Sequence, residues 1–177
     1  MDRNPIRRQL AIMRQSLFDQ GYLDEQFIEL EQLQDDANPN FVEEVVTLYF
    51  RDSARLILNI HHALYVHFSP TLFLFLFIHT HKVMILLLFF RERKPFDFKK
   101  LDGFMHQFKG SSSSIGANKV KAESTLFREY CRSANAEGCM RAFQQLKKEY
   151  ATLRKKLEAY FQLARQTGPL ETATRPK

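Results

Sequence analysis

Cys139, Phe143, Leu146, Tyr150, Leu153, Leu157 and Phe161 follow one another at intervals of four, three, four, three, four and four residues. At 100° per residue that spacing keeps all of them on one stripe of one helix, and an apolar stripe of this length needs other helices to cover it. Asn135 can cap this helix. The rest of the chain supplies the covering partners. Pro5 suits a first helical turn, with Ile6, Leu10, Met13 and Leu17 behind it and a break at Asp19-Gln20-Gly21. Asp24 can cap a shorter helix carrying Phe27, Leu30 and Leu33 that stops near Asp35-Asp36. Asn38-Pro39 reads as another cap and first turn, and Phe41, Val45, Leu48, Leu56 and Ala63 mark a long third helix. Asn118 to about Arg132 makes a further helix with Val120, Phe127 and Cys131 facing inward. The pattern predicts an all-α bundle, one domain from 177 residues of which 45% are hydrophobic. A tail from Thr167 to Lys177, with Gly168, Pro169 and Pro176, should fray.

One helix carries more than packing. From Asp97, a plausible cap, Phe98, Leu101, Met105, Phe108 and Ile115 form an apolar stripe. His106 is one residue off it and turns toward the edge or solvent side, together with Asp102, Lys109, Gly110 and Ser113. Helical side chains lean toward the N-terminus, so the residue at position 110 lies over the imidazole, and glycine leaves the ring uncovered. Lys109 leans back over the same turn and can bring its ammonium to whatever the imidazole binds. A helix-interior glycine costs about 0.5–1 kcal/mol relative to alanine. Access to His106 is a return for that cost. The four serines Ser111 to Ser114 would usually mean a flexible linker, but Ile115 continues the stripe and argues that they stay helical.

A neutral imidazole offers an unshared pair near pH 7 and forms a phosphoramidate labile enough to pass on. Phosphoryl transfer needs mainly positioning and electrostatic help, which one cation beside the ring can begin to give. No GxxxxGK or GxGxxG occurs among the six glycines, so the chain does not read as a kinase that uses ATP itself. The net charge of +6 would permit nucleic-acid binding, but the basic residues are spread over several helices and interleaved with acids. No nucleic-acid partner is expected. Cys131 and Cys139, without CxxC spacing, read as reduced thiols of an intracellular protein. Met1 to Arg8 is basic but leads into no long apolar stretch, so no secretory signal is expected. His61-His62 and His79-x-His81 complete no four-ligand metal pattern.

The run Met105-His106-Gln107-Phe108-Lys109-Gly110-Ser111-Ser112-Ser113-Ser114-Ile115-Gly116-Ala117 resembles the HQxKGSSxSxGA signature of plant histidine phosphotransfer proteins, and the likeness extends over Met1 to Leu64 and Lys94 to about Gln166. The resemblance implies a four-helix bundle with two additional N-terminal helices, over residues 1–166. It makes His106 the phosphoacceptor, with Gln107 and Lys109 assisting the phosphoryl group and Gly110 keeping the approach open. Arg128 matches a basic position brought near the site from the next helix, although by itself it could pair with Glu129 or Glu123 on a wet surface. The implied partners are receiver domains of hybrid sensor histidine kinases and of response regulators, in relays that include cytokinin signalling, in cytoplasm and nucleus. No cofactor is implied for this chain; Mg2+ belongs to the partner receiver. Such a protein is a phosphotransfer intermediate and not an autonomous kinase. Some members of that family lack the histidine and are called pseudo-phosphotransfer proteins, whereas this chain retains it.

The departure from the family is an atypical insertion at about residues 65–93. Tyr65 to Arg93 includes two apolar runs, Leu72 to Ile78 and Val83 to Phe90. A transmembrane helix needs about 20 mostly apolar residues, close to the span from Leu72 to Phe90. Lys82 falls in the middle, where a lysine costs roughly 2.5–3.5 kcal/mol of insertion, so spanning is disfavoured. Each run is also of the uncharged, aromatic-rich kind that pairs as strands or aggregates. The segment can be an extended hairpin, a membrane-surface piece or translated intron sequence. The last is favoured, because the flanks join into a continuous family sequence once it is removed. The competing function is a receiver-binding or membrane-associated variant, disabled or relocated by the insertion.

Overall fold

The computed structural model describes residues 4–65 and 96–167, which form six helices: α1 (Asn4–Asp19), α2 (Glu25–Gln32), α3 (Phe41–Tyr65), α4 (Phe98–Ser114), α5 (Asn118–Arg132) and α6 (Ala136–Thr167). α4 packs along α5 and α5 along α6, while α3 closes the bundle against α4 and α6. α1 lies on α6 and α2 on α4. The fold is therefore a four-helix bundle, α3 to α6, with two additional N-terminal helices on its flank. All of the seven stripe residues of α6 are buried. Asn135 caps that helix as its sequence suggests, its Oδ1 accepting from the Gly138 N–H at 2.8 Å. The tail from Gly168 onward and the segment 66–95, which holds nearly all of the insertion together with His79 and His81, lie outside the described residues.

Three details of the N-terminal half differ from the sequence expectation. In α3 the buried face is Val42, Val46, Tyr49, Phe50, Ser53, Leu56, Ile60 and Leu64, whereas Phe41 and Val45 are half-buried and Leu48 is 46% exposed. Positions 41, 45 and 48 and positions 42, 46 and 49 are both apolar sets one residue apart, so the sequence offers two phases 100° from each other. Packing selects the second. It turns Tyr49 toward Phe108 and Tyr150, at ring-centroid distances of 6.5 and 6.3 Å. The α3 start also moves, because Asp35 Oδ1 accepts the Ala37 and Asn38 N–H groups and fixes a turn that delays the helix to Phe41. In α2, Asp24 caps by accepting from Gln26 N–H, but Leu33 ends the helix and is 67% exposed, so it is no core residue.

Besides this packing, a backbone bridge ties the N-terminal helices to the bundle. Leu23 and Ala117 form an isolated antiparallel bridge, with Asp24 N–H donating to Gly116 O and Asn118 N–H to Tyr22 O, both at 3.0 Å. Lys121 reinforces it by pairing with Asp24 at 2.9 Å. Gly116 makes this approach possible: its φ is +68°, and a Cβ there would lie 2.6 Å from the Phe27 backbone nitrogen. The bridge thus fixes the C-terminal end of α4.

Candidate functional site

The site is built on α4. Asp97 caps the helix by accepting from Lys100 N–H at 2.9 Å, and Leu101, Met105, Phe108 and Ser112 are buried against the bundle, with Ile115 buried just past the last turn. Phe98 is half-buried at the rim. With that face fixed, His106 is left exposed, as are Gln107 and Gly110, and Lys109 is half-buried. A Cβ at Gly110 would meet no atom within 4 Å, so the surface beside the imidazole is open.

The four serines are helical through Ser114, and their hydroxyls show how. Ser111 and Ser112 both donate to Phe108 O, Ser113 to Lys109 O and Ser114 to Gly110 O, over 2.8 to 3.1 Å. Each hydroxyl is satisfied within its own helix, by a carbonyl three or four residues earlier. Ser112 is the buried one, and its Oγ also lies 3.1 Å from Tyr49 OH. Burial raises the Tyr49 hydroxyl far above the ordinary phenol value, opposed by that hydrogen bond, so it stays neutral and links α3 to α4.

Arg128 of α5 supplies the site's ion pair. Its Nε donates to Asp102 Oδ1 at 2.7 Å and its Nη2 to Oδ2 at 3.2 Å, a two-pronged contact. Neither Glu129 nor Glu123, the partners that the sequence put forward for Arg128, takes part. Asp102 stands one helical turn before His106. The Arg128 hydrogen bond, with smaller Coulombic help from Arg132 and His106, holds its carboxyl below the ordinary range against the opposing effect of burial. No local pattern could reveal the Asp102–Arg128 pair, because it depends on the register between two helices. The one available signal is that Asp102 shares the His106 face at a spacing of four. Among the described residues no group of three or more His, Cys, Asp or Glu could hold a metal ion. Nor is any described helix long and apolar enough to cross a membrane.

An exposed histidine one turn after the Asp102–Arg128 pair, on a bundle of this topology, is the arrangement of a histidine phosphotransfer module. Residues 44–156 match the Hpt domain model, and the chain belongs to the Hpt family, the phosphorelay carriers of two-component signalling. It is 64% identical over 143 residues to histidine-containing phosphotransfer protein 4 of Arabidopsis thaliana, covering 81% of this chain and 91% of that protein. It is also 50% identical over 176 residues to pseudo histidine-containing phosphotransfer protein 5 of Oryza sativa subsp. japonica, covering 99% and 98%. Among solved structures, a histidine-containing phosphotransfer protein from Medicago truncatula superposes with a TM-score of 0.72 at 37% identity, covering 97% of this chain and 96% of that one.

Proposed function

We propose that this is a phosphotransfer protein of the authentic type, with His106 as phosphoacceptor. The receiver-domain aspartyl phosphate of a hybrid sensor histidine kinase donates: its P–O bond breaks as the imidazole nitrogen forms a P–N bond, and the carboxylate leaves. The reverse exchange then delivers the group to the receiver aspartate of a response regulator. Lys109 and Gln107 steady the phosphoryl oxygens, Arg128 adds positive charge from the neighbouring helix, and Gly110 leaves room for the receiver. The chain needs no cofactor of its own; Mg2+ sits on the receiver. The relay is of the cytokinin type and runs between cytoplasm and nucleus.

The observation that carries this is the exposed His106 beside the open surface at Gly110. Because the chain is similar both to proteins named as phosphotransfer carriers and to proteins named as pseudo forms, the histidine itself is the deciding residue. Incubation with a phosphorylated receiver domain should give an acid-labile, base-stable label on the wild-type chain. His106→Gln should take up none. Equal labelling of the two would show that the acceptor lies elsewhere.

A further inference from the structure

The hairpin between α5 and α6 holds the chain's two cysteines face to face. Cys131 is in the last turn of α5 and Cys139 in the first turn of α6, both are buried, and their Sγ atoms are 3.6 Å apart. The approach is enforced by the turn. Asn135 N–H donates to Tyr130 O at 2.9 Å, Ala134 takes a φ of +50°, and a Cβ on Gly138 would come within 2.4 Å of the Tyr130 ring. A side chain at position 138 would part the helices where the thiols meet. The thiols also act on each other: their hydrogen bond lowers Cys139 below its ordinary value and raises Cys131 well above it.

We propose that Cys131 and Cys139 are an oxidation site, closed by a hydroperoxide into an intramolecular disulfide that ties α5 to α6 behind the Arg128–Asp102 pair. One sulfur of the pair attacks one peroxide oxygen, the O–O bond breaks, and one water leaves after proton transfer, giving a sulfenic acid. The other sulfur then attacks that sulfur and a second water leaves. The pair loses two protons and two electrons, and hydrogen peroxide is reduced to two waters. A small oxidant has the shortest path here, since residues 132–135 are exposed and Cys131 retains 5% accessibility at the edge of the core. Bond formation draws the sulfurs from 3.6 Å to about 2.05 Å.

The site feels that movement. Arg128 is three residues before Cys131 on the same face of α5, and the charges of Asp102 and Arg128 both act on the Cys131 thiol. Shifting the last turn of α5 therefore moves the Arg128–Asp102 pair beside the helical turn that carries His106, and an oxidised chain exchanges phosphate more slowly. This second part rests on His106 being the acceptor.

The full chain should be treated with hydrogen peroxide, alkylated, and weighed intact. The expected result is a monomer lighter by two hydrogens, with no alkylated thiol, a peptide cross-link between positions 131 and 139, and full reversal by dithiothreitol. Cys131→Ser and Cys139→Ser should each abolish it. Phosphate uptake from a phosphorylated receiver should be several-fold slower in the oxidised chain and recover on reduction. Two thiols that stay open to alkylation, sulfinic acids, or links between separate chains would overturn the oxidation site. A disulfide with unchanged transfer would overturn its coupling to the phosphoryl site. If the reduced chain takes up no label, the His106 assignment fails, while the mass measurement still decides the disulfide.

Discussion

Gly110 and Gly116 lie six residues apart in one motif and serve opposite needs. Gly116 is required by backbone: its positive φ and the 2.6 Å approach to Phe27 leave no place for a methyl group. Gly116→Ala should lose about 1–3 kcal/mol in urea denaturation, since either the turn or the docking of α2 must yield. Gly110 has empty space where its Cβ would be, so Gly110→Ala should raise stability by about 0.5–1 kcal/mol through helix propensity. Gly110→Leu should instead slow phosphate uptake by on the order of tenfold while circular dichroism holds or gains helix, because the long side chain leans back over His106. Unchanged transfer in the leucine variant would remove the access role. The Asp102–Arg128 pair has a pH signature. Asp102 is held below its unfolded value, so its contribution is complete above the ordinary carboxylate range and is lost as pH falls through the depressed folded value. Arg128→Ala should cost about 1 kcal/mol at neutral pH, and the gap to wild type should narrow toward about pH 3 in paired urea melts.

At the level of helices, what could be read from sequence depended on whether one apolar phase or two were available. α6 has a single phase, and every residue of its stripe is buried. α4 was legible for the same reason: Ile115 continued the period past the serines, and their hydroxyls do stay within the helix. In α3 two adjacent apolar sets competed, and only contact with Tyr150, Phe108 and Ser112 selects the one containing Tyr49. The exposed position of His106 followed from α4's periodicity alone. The Asp102–Arg128 pair did not, because inter-helix register is set by the whole core and by the bridge at Leu23 and Ala117. The α3–α4 contact also yields a prediction. Ser112→Ala removes the hydroxyl that meets Tyr49 OH in a buried setting, and leaving that group poorly satisfied should cost about 1–2 kcal/mol. Tyr49→Phe in the same background should recover part of it. A double variant less stable than Ser112→Ala alone would show that the tyrosine hydroxyl has another partner that matters more.

For the molecule as a whole, the decisive question is how the bundle relates to the apolar runs between Leu72 and Phe90. The hydrophobic core is assembled from the six helices, with α3 and α4 joined directly by packing and by the Tyr49–Ser112 contact. Two packed helices do not need a particular connection between them. Lengthening a loop costs only about 0.6 kcal/mol per doubling, and shortening it returns as little. Deleting Tyr65 to Arg93 joins Leu64 to Lys94, leaving Lys94, Pro95 and Phe96 before the Asp97 cap. The loss at the end of α3 is then the Tyr65 ring, which stacks on His61 at 4.4 Å and receives a hydrogen bond from Gln144. Both partners are exposed, and Tyr65 is a half-buried ring at the edge of the core, so the cost is confined to the end of α3. Long uncharged apolar runs outside a core carry the opposite risk, since such segments associate with one another or with lipid. The deletion variant should therefore be helical, monomeric and able to take phosphate on His106, while the full chain should sediment as larger species or partition onto lipid vesicles. Circular dichroism, sedimentation and the labelling assay on both forms test this together. A deletion variant that fails to fold, beside a monomeric and active full chain, would place the apolar runs inside the core and make them part of the working protein.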